Sequence, residues 1–428
     1  MLFTGCERPF VEVSVPEIEI VEPNPDLVLQ TVNQNLVVRA ESFRAVDRVE
    51  LGGRPFERQS DGSWRLPVIL QNGANRLVIE TFDSEETAST DTLELLVLPT
   101  RVETAASAWS DPRGGHTVTP LLNGDLLLAG GAGSTTGDVS ADIFELPFGS
   151  TLVRHSGVRF HHARIGHTAS VLPDGRILFL GGASNTVLDD VSDLVETAEL
   201  YDPQDGSIIR LGTTGPPIRR AYHTALVAAS QDGIVVSVIG GTGDIRYNPA
   251  PELGVRRDIR SFLLIDDHLQ ALSPAIGPFI EALSGHSSTP LARQPPGTAT
   301  RELISGALFL GNGVETHHFV LDPRSPLGLA FEDIEPPNTL RTEHEAVQIT
   351  PGRVLRLGGI VDAESTLSGT LDLFDDATSR FLDFEFATIR NRHLHGATIV
   401  DASRILVIGG FGEDGTALST LEYVVFDL

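Results

Sequence analysis

Short runs of alternating apolar and polar residues, separated by turn residues, fill the first part of the chain. Residues 11–15 alternate strictly, and the turn signals Gly52-Gly53, Asp61-Gly62 and Asn72-Gly73 follow at intervals of about ten residues. This spacing is typical of an all-β sandwich. Because almost no segment here carries the 3.6-residue period of an amphipathic helix, the pattern predicts a small β-sandwich over residues 10–98.

A longer unit repeats from residue 100 onward. Apolar strands end in a glycine pair at five places: Gly130-Gly131, Gly181-Gly182, Gly240-Gly241, Gly358-Gly359 and Gly409-Gly410. Their intervals are 51, 59, 118 and 51 residues, and since 118 is twice 59, one copy is expected halfway. We assign Gly311-Asn312-Gly313 to that copy. Periods of ~40–50 residues are those of propeller blades, so we count six copies over residues 100–428.

Two further residue types keep step with the glycine pairs. A marker histidine precedes the pair by 14 residues at His116, His167, His344 and His395, and by 17 at His223. An arginine stands three residues before the marker histidine in five copies, at Arg113, Arg164, Arg220, Arg341 and Arg392. A tight turn such as Asn123-Gly124 or Asp174-Gly175 separates marker from glycines, which predicts a β-hairpin in each copy.

The strand, turn and double-glycine pattern resembles the Kelch repeat, and the resemblance covers essentially all of residues 100–428. It implies a six-bladed β-propeller in which each blade is a four-stranded antiparallel sheet. The sixth copy reaches Leu428 directly after its third strand, so we expect residues 101–105 to supply its last strand and close the ring. Closure of this kind removes an exposed sheet edge.

The second half of the sandwich, including Asp61-Gly62-Ser63-Trp64, resembles bacterial Ig-like domains. The expected fold class is therefore all-β, with a six-bladed Kelch-type propeller preceded by a small Ig-like sandwich. Trp64 could stack on a sugar, but a tryptophan after such a turn more often packs one edge of the sandwich. We interpret this domain as a spacer.

The single cysteine, Cys6, follows small residues in a tether over residues 1–9. It resembles the lipobox of bacterial lipoproteins, which implies a signal peptide, lipid attachment at Cys6 and a place in the bacterial cell envelope, facing the periplasm or the cell surface. The alternative is an incidental cysteine. The longest apolar runs stop after about five residues, far short of a ~20-residue span, so we expect membrane contact only through the lipid.

The charge balance restricts the partners. Formal net charge is -27, and all 31 basic residues are arginines. An acidic surface of this size repels a phosphate backbone, so no nucleic-acid partner is expected. The absence of lysine also excludes Schiff-base chemistry.

Arginines and histidines make the candidate ligand site. A ring of arginines would suit an anion such as a carboxylate or an acidic sugar, but a feature present in nearly every copy is also explained as scaffold within each blade. Extra histidines mark individual copies, and the long loops 242–260 and 274–300 could fold over the channel. The candidate ligand-binding residues are Arg164, Arg220, Arg341, Arg392, His161, His162 and His393.

No metal or cofactor is expected. Adjacent histidines on a strand point to opposite faces, so His161-His162 and His317-His318 each supply at most one ligand to a site. Copper-radical oxidases related to galactose oxidase combine a Kelch-type propeller with an Ig-like companion, but their site needs a cysteine within the propeller, and Cys6 lies outside it. No nucleophile elbow, Walker loop or dinucleotide fingerprint appears in its required context.

The first hypothesis is a noncatalytic envelope protein that presents a propeller face to a protein or glycan partner. The alternative is an enzyme acting on an acidic sugar, since some six-bladed Kelch proteins are sugar-acid mutarotases; Arg164, Arg220 and Arg392 would hold the carboxylate, and Glu343 or a histidine would move protons. A third hypothesis is an assembly protein that associates through its spacer. Arginines that converge on an open funnel favour the enzyme, and arginines paired within their blades favour the binder.

Overall fold

The computed structural model describes residues 15–42, 44–244, 253–272, 283–292, 295, 298, 300–310, 313–322 and 330–427. Strands form nearly all of its regular structure, and one short 3-10 turn, η1, covers Val191–Asp193. None of the helices in this part of the chain has the length and apolar character that crossing a membrane requires. Two compact units are present, one comprising Met1–Pro99 with Asp427–Leu428 and the other Thr100–Phe426.

In its described residues the first unit has nine strands around one apolar core. One sheet has the strand order β1 (Glu17–Glu22), β3 (Asn33–Glu41), β7 (Trp64–Ile69) and β6 (Glu57–Arg58). The other strands lie in a second sheet in the order β2 (Leu27–Leu29), β9 (Ala88–Val97), β8 (Gly73–Asp83), β4 (Val46–Leu51) and β5 (Arg54–Pro55). Trp64 is only 6% exposed and packs in this core, so it is not available as a sugar platform.

The second unit begins with β10 (Thr100–Ala108) and contains, in the part of the chain that the structure describes, six sheets of four or five strands and one three-stranded ribbon. We number the sheets 1 to 6 by the chain order of their first strands. Sheet 1 has β11 (Thr117–Pro120), β12 (Leu126–Ala129), β13 (Asp142–Leu146) and β14 (Arg154–Arg159). Sheet 2 has β15 (Thr168–Val171), β16 (Ile177–Leu180), β17 (Ala198–Asp202) and β18 (Ser207–Arg210).

Sheet 3 carries extra strands. Its outer edge is β19 (Gly212–Thr214), which runs parallel to the fourth strand, and a separate ribbon of β20 (Arg220–Ala221), β23 (Thr242–Asp244) and β24 (Leu253–Val255) stands beside the sheet. The predicted covering loop over 242–260 therefore contributes β23 and β24, while its residues 245–252 lie outside the described part. The main strands are β21 (Thr224–Ala229), β22 (Ile234–Ile239), β25 (Ile259–Ile265) and β26 (His268–Ala271).

Sheets 4 to 6 return to four strands each. Sheet 4 has β27 (Ser287–Pro290), β28 (Glu302–Leu310), β29 (Gly313–Asp322) and β30 (Ala330–Asp333). Sheet 5 has β31 (Glu345–Thr350), β32 (Arg353–Leu357), β33 (Thr370–Asp375) and β34 (Arg380–Thr388). Sheet 6 has β35 (Gly396–Asp401), β36 (Arg404–Ile408) and β37 (Thr420–Phe426), with β10 as its outer strand.

The six sheets are arranged in a circle. Their first strands contact one another in the order β11, β15, β21, β27, β31 and β35, and β35 contacts β11 again. In sheet 6, β10 pairs antiparallel with β37, with Glu103 opposite Tyr423 and Thr104 opposite Glu422. The outer strand of the last sheet thus comes from the segment that precedes the first.

The glycine pairs lie where neighbouring sheets come closest. Gly130 has a φ of 70°, and a Cβ atom there would stand 2.4 Å from the carbonyl oxygen of Arg164 and 2.8 Å from the ring of His167. At Gly131, with a φ of 85°, it would stand 2.6 Å from the carbonyl oxygen of Gly114. Only glycine combines the positive φ with such close backbone approach, which gives a physical reason for the pattern.

The prediction for the fourth glycine pair was wrong. Ser287 lies opposite Ser305 in sheet 4, as Thr117 lies opposite Ala129 in sheet 1, so Gly306-Ala307 take the place of the pair. Gly311 and Asn312 lie outside the described residues, and Gly313 begins the next strand. Equal spacing would put this pair at residue 299, whereas the inserted residues of this copy shift it to 306, five residues before the predicted Gly311.

Candidate functional site

The predicted arginines do not converge on a funnel. Arg164, Arg220, Arg341 and Arg392 are at most 1% exposed. Each donates from Nη1 to the carbonyl oxygen of the first glycine of its own sheet, at 2.8–3.0 Å. Each also pairs through Nη2 with a carboxylate that precedes or belongs to the third strand of that sheet: Glu199, Asp258, Asp372 and Glu422.

These pairs define the arginines as internal braces of their sheets. Burial in an apolar surrounding lowers the pKa of Arg392 to about 10, against the raising effect of Glu422. Arg113, at 8% exposure, pairs in the same way with Asp111 and Asp142. All five guanidinium groups thus face protein carboxylates, and the sequence signal that would have shown this is an acidic residue in or just before each third strand.

The three predicted histidines lie in different surroundings. His161 is half-exposed, with Nδ1 2.9 Å from Oε2 of Glu199, and His162 is exposed. His393 is 12% exposed, with Nδ1 2.6 Å from Oε2 of Glu343. Only His393 lies beside the channel described next.

The first strands of the six sheets enclose a space that we call the channel. A ring of backbone hydrogen bonds surrounds one end of it, and we call this the neck ring. Each member donates its N–H to the carbonyl oxygen of the member in the preceding sheet, at 2.7–3.0 Å, and the sixth bond closes the circle. All members have a φ between 49° and 67°. The neck ring consists of Gly115, Gly166, Tyr222, Gly285, Glu343 and Leu394.

Three members of the neck ring carry side chains in a backbone conformation that favours glycine. The φ angles are 56° for Tyr222, 53° for Glu343 and 49° for Leu394, and each costs about 1–2 kcal/mol relative to an ordinary conformation. Strained residues persist where a side chain is needed, so Tyr222 and Glu343 are site candidates. Burial, together with the charge of Glu343, raises the pKa of Tyr222.

Below the neck ring lies a ring of six buried histidines, one from each sheet. The hydroxyl group that follows one histidine contacts Nε2 of the histidine in the next sheet: Thr117 contacts His167, Thr168 contacts His223, Thr224 contacts His286 and Ser287 contacts His344, at 2.9–3.2 Å. Burial lowers the pKa of His116 and of His223 to about 3 and holds those of His167, His344 and His395 well below 6.5. These five rings are therefore neutral at pH 7.

The hydroxyl pattern is broken at two consecutive steps. Glu345 stands where a hydroxyl residue would face His395, and Gly396 stands where one would face His116. The Nε2 atoms of His395 and His116 are buried without a hydrogen-bond partner. Both rings and the Glu345 side chain line the same cavity of about 290 Å³, which also reaches Tyr222 and Glu343.

Two carboxyl groups in the channel have raised pKa values. Desolvation raises the pKa of Glu345 to about 8 and that of Glu302 to about 7. Glu302 lines a second cavity of about 650 Å³ at the other end of the first strands, where Thr300 donates to its Oε1 at 3.0 Å. No arginine lines either cavity in the described part of the chain. Among the described residues, no group of three histidine, cysteine, aspartate or glutamate side chains could hold a metal ion.

An acidic set of loops surrounds the neck-ring end. First and second strands are antiparallel, so the loops that enter the first strand and leave the second lie at the same end. Exposed acids in these loops, which we call the acidic rim, include Asp111, Asp138, Asp189, Asp190, Glu196, Glu364, Glu413 and Asp414. In the described parts of the same loops, the exposed arginines are Arg390 and Arg257, and the latter pairs with Glu315.

Sequence reasoning missed His286, the neck ring and Glu345. His286 was hidden because its glycine pair was misplaced. The residue on either side of each marker histidine, compared copy by copy, would have shown the departures at Tyr222, Glu343 and Glu345. The closed ring of hydrogen bonds has no signature in the sequence.

Comparison with known proteins defines the fold. No protein-family model matches the sequence, and no curated protein matches it. YjhT, a Kelch-type propeller, matches with a TM-score of 0.57 at 14% identity, over 75% of this chain and 99% of that one. A fungal alcohol oxidase of the AA5 family, solved in complex with copper, aligns at 14% identity and a TM-score of 0.48, over 96% of this chain and 76% of its own. The likeness to YjhT shows that the chain contains a propeller fold.

Proposed function

We propose that this protein is a noncatalytic binding protein of the bacterial cell envelope, in which a six-bladed Kelch-type propeller presents the acidic rim to a partner protein with a basic surface. The six sheets would be the blades, β10 would close the ring, and the first unit would be an Ig-like spacer. The observation that carries the proposal is the internal pairing of the arginines. A site for an acidic sugar needs cations that face a ligand, and these face Glu199, Asp258, Asp372 and Glu422.

The acidic rim supports a basic protein partner. Its exposed carboxylates far outnumber the exposed arginines in the same loops, and complementary charge accelerates and orients association. The loops stand on a circle of sheets, and binding surfaces are commonly built from loops on a rigid scaffold. A neutral glycan is the second candidate partner.

Site-specific cross-linking in intact cells tests which face is used. We would place a photoreactive residue at Asp189 or Glu413 on the rim, and at Asp205 or Asp232 on exposed turns at the opposite end of the sheets. Rim positions should yield a discrete cross-linked protein, and the product should weaken with salt and with the quadruple change of Asp189, Asp190, Glu413 and Asp414 to lysine. The double change Asp205→Lys with Asp232→Lys is the matched control.

Cross-links that form only at the opposite face, or that survive charge reversal, would contradict the proposed surface. Screening the full chain against glycans and sugar acids tests the other candidates. Turnover of a sugar acid that is lost in Glu343→Gln would establish the enzyme instead, since Glu343 pairs with His393 beside the channel.

The proposal includes a lipid tether at Cys6, which lies outside the described residues. Labelled fatty acid should enter the wild-type protein, and the protein should partition into Triton X-114. Cys6→Ala should do neither, and a Cys6→Ala protein that stays membrane-bound would count against the tether.

A further inference from the structure

We propose that the channel cavity beside Glu345, His395 and His116 is a binding site for a small primary ammonium cation. This inference goes beyond the proposed function, because it concerns the inside of the channel and not the acidic rim. It would hold whether or not the rim binds a protein.

The histidine ring has four complete steps, at which a hydroxyl group contacts the next histidine, and two broken steps, at which this contact is missing. At the complete steps, a threonine or serine hydroxyl lies 2.9–3.2 Å from Nε2 of the next histidine. At the broken steps, Nε2 of His395 and Nε2 of His116 have no partner, although the two residues are 1% and 5% exposed. An unpaired buried polar group costs roughly 1–3 kcal/mol, so a ligand that pairs with it gains affinity.

A ligand in this cavity must supply hydrogen-bond donors that match the acceptors of the lining. A neutral imidazole with its proton on Nδ1 presents Nε2 as an acceptor, and a carboxylate is an acceptor only. In this tautomer Nε2 of His395 accepts a hydrogen bond, as the deprotonated Glu345 carboxylate does, and both residues line the same cavity. A ligand that pairs with both must therefore offer several N–H donors. A primary ammonium group has three such donors and no acceptor.

The charged residues of the cavity lining determine the sign of the ligand charge. Glu345 and Glu343 line this cavity, no arginine does so in the described chain, and five of the six histidines are held neutral. The charge of the lining therefore favours a cation over an anion. Its volume of about 290 Å³ lies at the lower end of the ~300–1,000 Å³ of small-molecule sites, which suits a small amine.

The difference at Gly396 limits where the ammonium group can sit. A Cβ atom at Gly396 would lie 2.1 Å from Cγ2 of Val118 and 3.2 Å from Nε2 of His116. The methyl group of Val118 thus occupies the place of the missing side chain beside His116. We therefore expect Glu345 and His395 to make the principal contacts.

Thermal denaturation at constant ionic strength tests the site, with methylammonium chloride as the probe and sodium chloride as the balancing salt. Methylammonium should raise the Tm in a concentration-dependent way. Tetramethylammonium, which has the same charge and no N–H donor, should raise it much less. Equal effects of the two cations, or an equal effect of neutral glucose, would overturn the proposal.

Glu345→Thr is the decisive variant, because it restores the hydroxyl found at four other steps and should fold normally. Its affinity for methylammonium should fall at least tenfold, whereas Asp232→Asn, at an exposed turn at the opposite end of the sheets, should bind as the wild type does. A Glu345→Thr protein that is well folded and still binds methylammonium with wild-type affinity would refute the site. Glu345→Gln, which keeps the shape but not the charge, should also lose at least tenfold.

Proton release gives a second readout. The pKa of Glu345 is about 8 because of desolvation, so a cation that binds the carboxylate displaces a proton, and affinity should fall about tenfold for each pH unit below 8. The other titratable groups that line the cavity are Tyr222, Glu343, His116, His167, His223, His286, His344 and His395. The pKa of Tyr222 is raised and those of five histidines are lowered, which removes them from this range. Affinity that does not change between about pH 6.5 and 8 in the wild type would contradict the assignment to Glu345.

Discussion

The guanidinium group of Arg164 is fully buried and faces the equally buried carboxylate of Glu199. Its Nη1 also donates to the carbonyl oxygens of Gly181 and Thr197. One side chain thus holds the end of the second strand against the third within a sheet. The same arrangement at Arg220, Arg341 and Arg392 explains why the arginine recurs with the repeat.

Removing this arginine leaves a buried charge without its partner. We expect Arg164→Ala to lower the free energy of unfolding by about 3–5 kcal/mol, the usual result of breaking a buried pair. Arg404→Ala, which removes a half-exposed partner of Asp401, should cost less than about 1 kcal/mol. Urea denaturation of the two variants measures the difference, and equal losses would show that Arg164 is not a brace.

The glycine pairs allow crowding to be separated from backbone strain. Gly130 has a φ of 70° and close neighbours, whereas Gly149 has a φ of 71° and a Cβ atom there would have no neighbour within 4 Å. Alanine should therefore cost about 1–2 kcal/mol at Gly149 through conformation alone, and a further 1–3 kcal/mol or so at Gly130 through overpacking. Urea denaturation of both alanine variants would check this, and similar losses at the two sites would mean that sheet contact does not require the glycine.

At the scale of elements, the ring depends on the pairing of β10 with β37. These strands are far apart in sequence, and their register places Glu103 opposite Tyr423. Directly opposed residues of antiparallel strands have Cα atoms about 4.5–5.5 Å apart, which is within the range of a disulfide.

A disulfide across these strands should therefore form without rearrangement. In a Cys6→Ala background, Glu103→Cys with Tyr423→Cys should oxidise readily and stabilise the protein by about 2–4 kcal/mol relative to its reduced form. Thiol titration and thermal denaturation with and without reductant measure both effects. Persistently free thiols would contradict the register.

The sequence predicted elements better than it predicted contacts between them. Glycine pairs and turns indicated the hairpins because these features are local. Asn123-Gly124 lies between β11 and β12, and Asp174-Gly175 lies between β15 and β16, as the pattern predicted. The neck ring depends on contacts between neighbouring sheets, and the arginine pairs depend on contacts between distant strands of one sheet, so neither is local in the sequence.

At the scale of the whole molecule, the channel couples folding to pH in two opposite ways. Five channel histidines have pKa values far below the 6.5 of an unfolded chain, so the unfolded state binds more protons as the pH falls below 6.5. Glu302 and Glu345 have pKa values of about 7 and 8 instead of 4.5, so between pH 4.5 and these values the folded state binds more. Stability therefore decreases toward acid through the histidines and toward alkali through the glutamates.

The free energy of unfolding should consequently be greatest near pH 7. Between about pH 6.5 and 4.5 the histidines outweigh the glutamates by a net three protons, which corresponds to a loss of about 4 kcal/mol per pH unit at most. Between about pH 7 and 9, deprotonation of the two glutamates should cost about 2 kcal/mol, offset by about 1 kcal/mol because the histidines of the unfolded chain also lose protons there. Urea unfolding across this range measures both limbs.

Glu345→Thr separates the two limbs, because it removes one of the two alkaline groups and leaves all the histidines in place. Above about pH 7, the free energy of unfolding of the variant should decrease by less than half as much as that of the wild type, because Glu345 titrates over the wider range. Below about pH 6.5 it should still decrease, with a slope steeper than that of the wild type by about 1.4 kcal/mol per pH unit. Wild-type stability that is constant from about pH 7 to 5 would mean that the histidine ring opens to solvent and gains protons without unfolding. The channel would then be a hydrated passage, and the unpaired nitrogens of His116 and His395 would be satisfied by water.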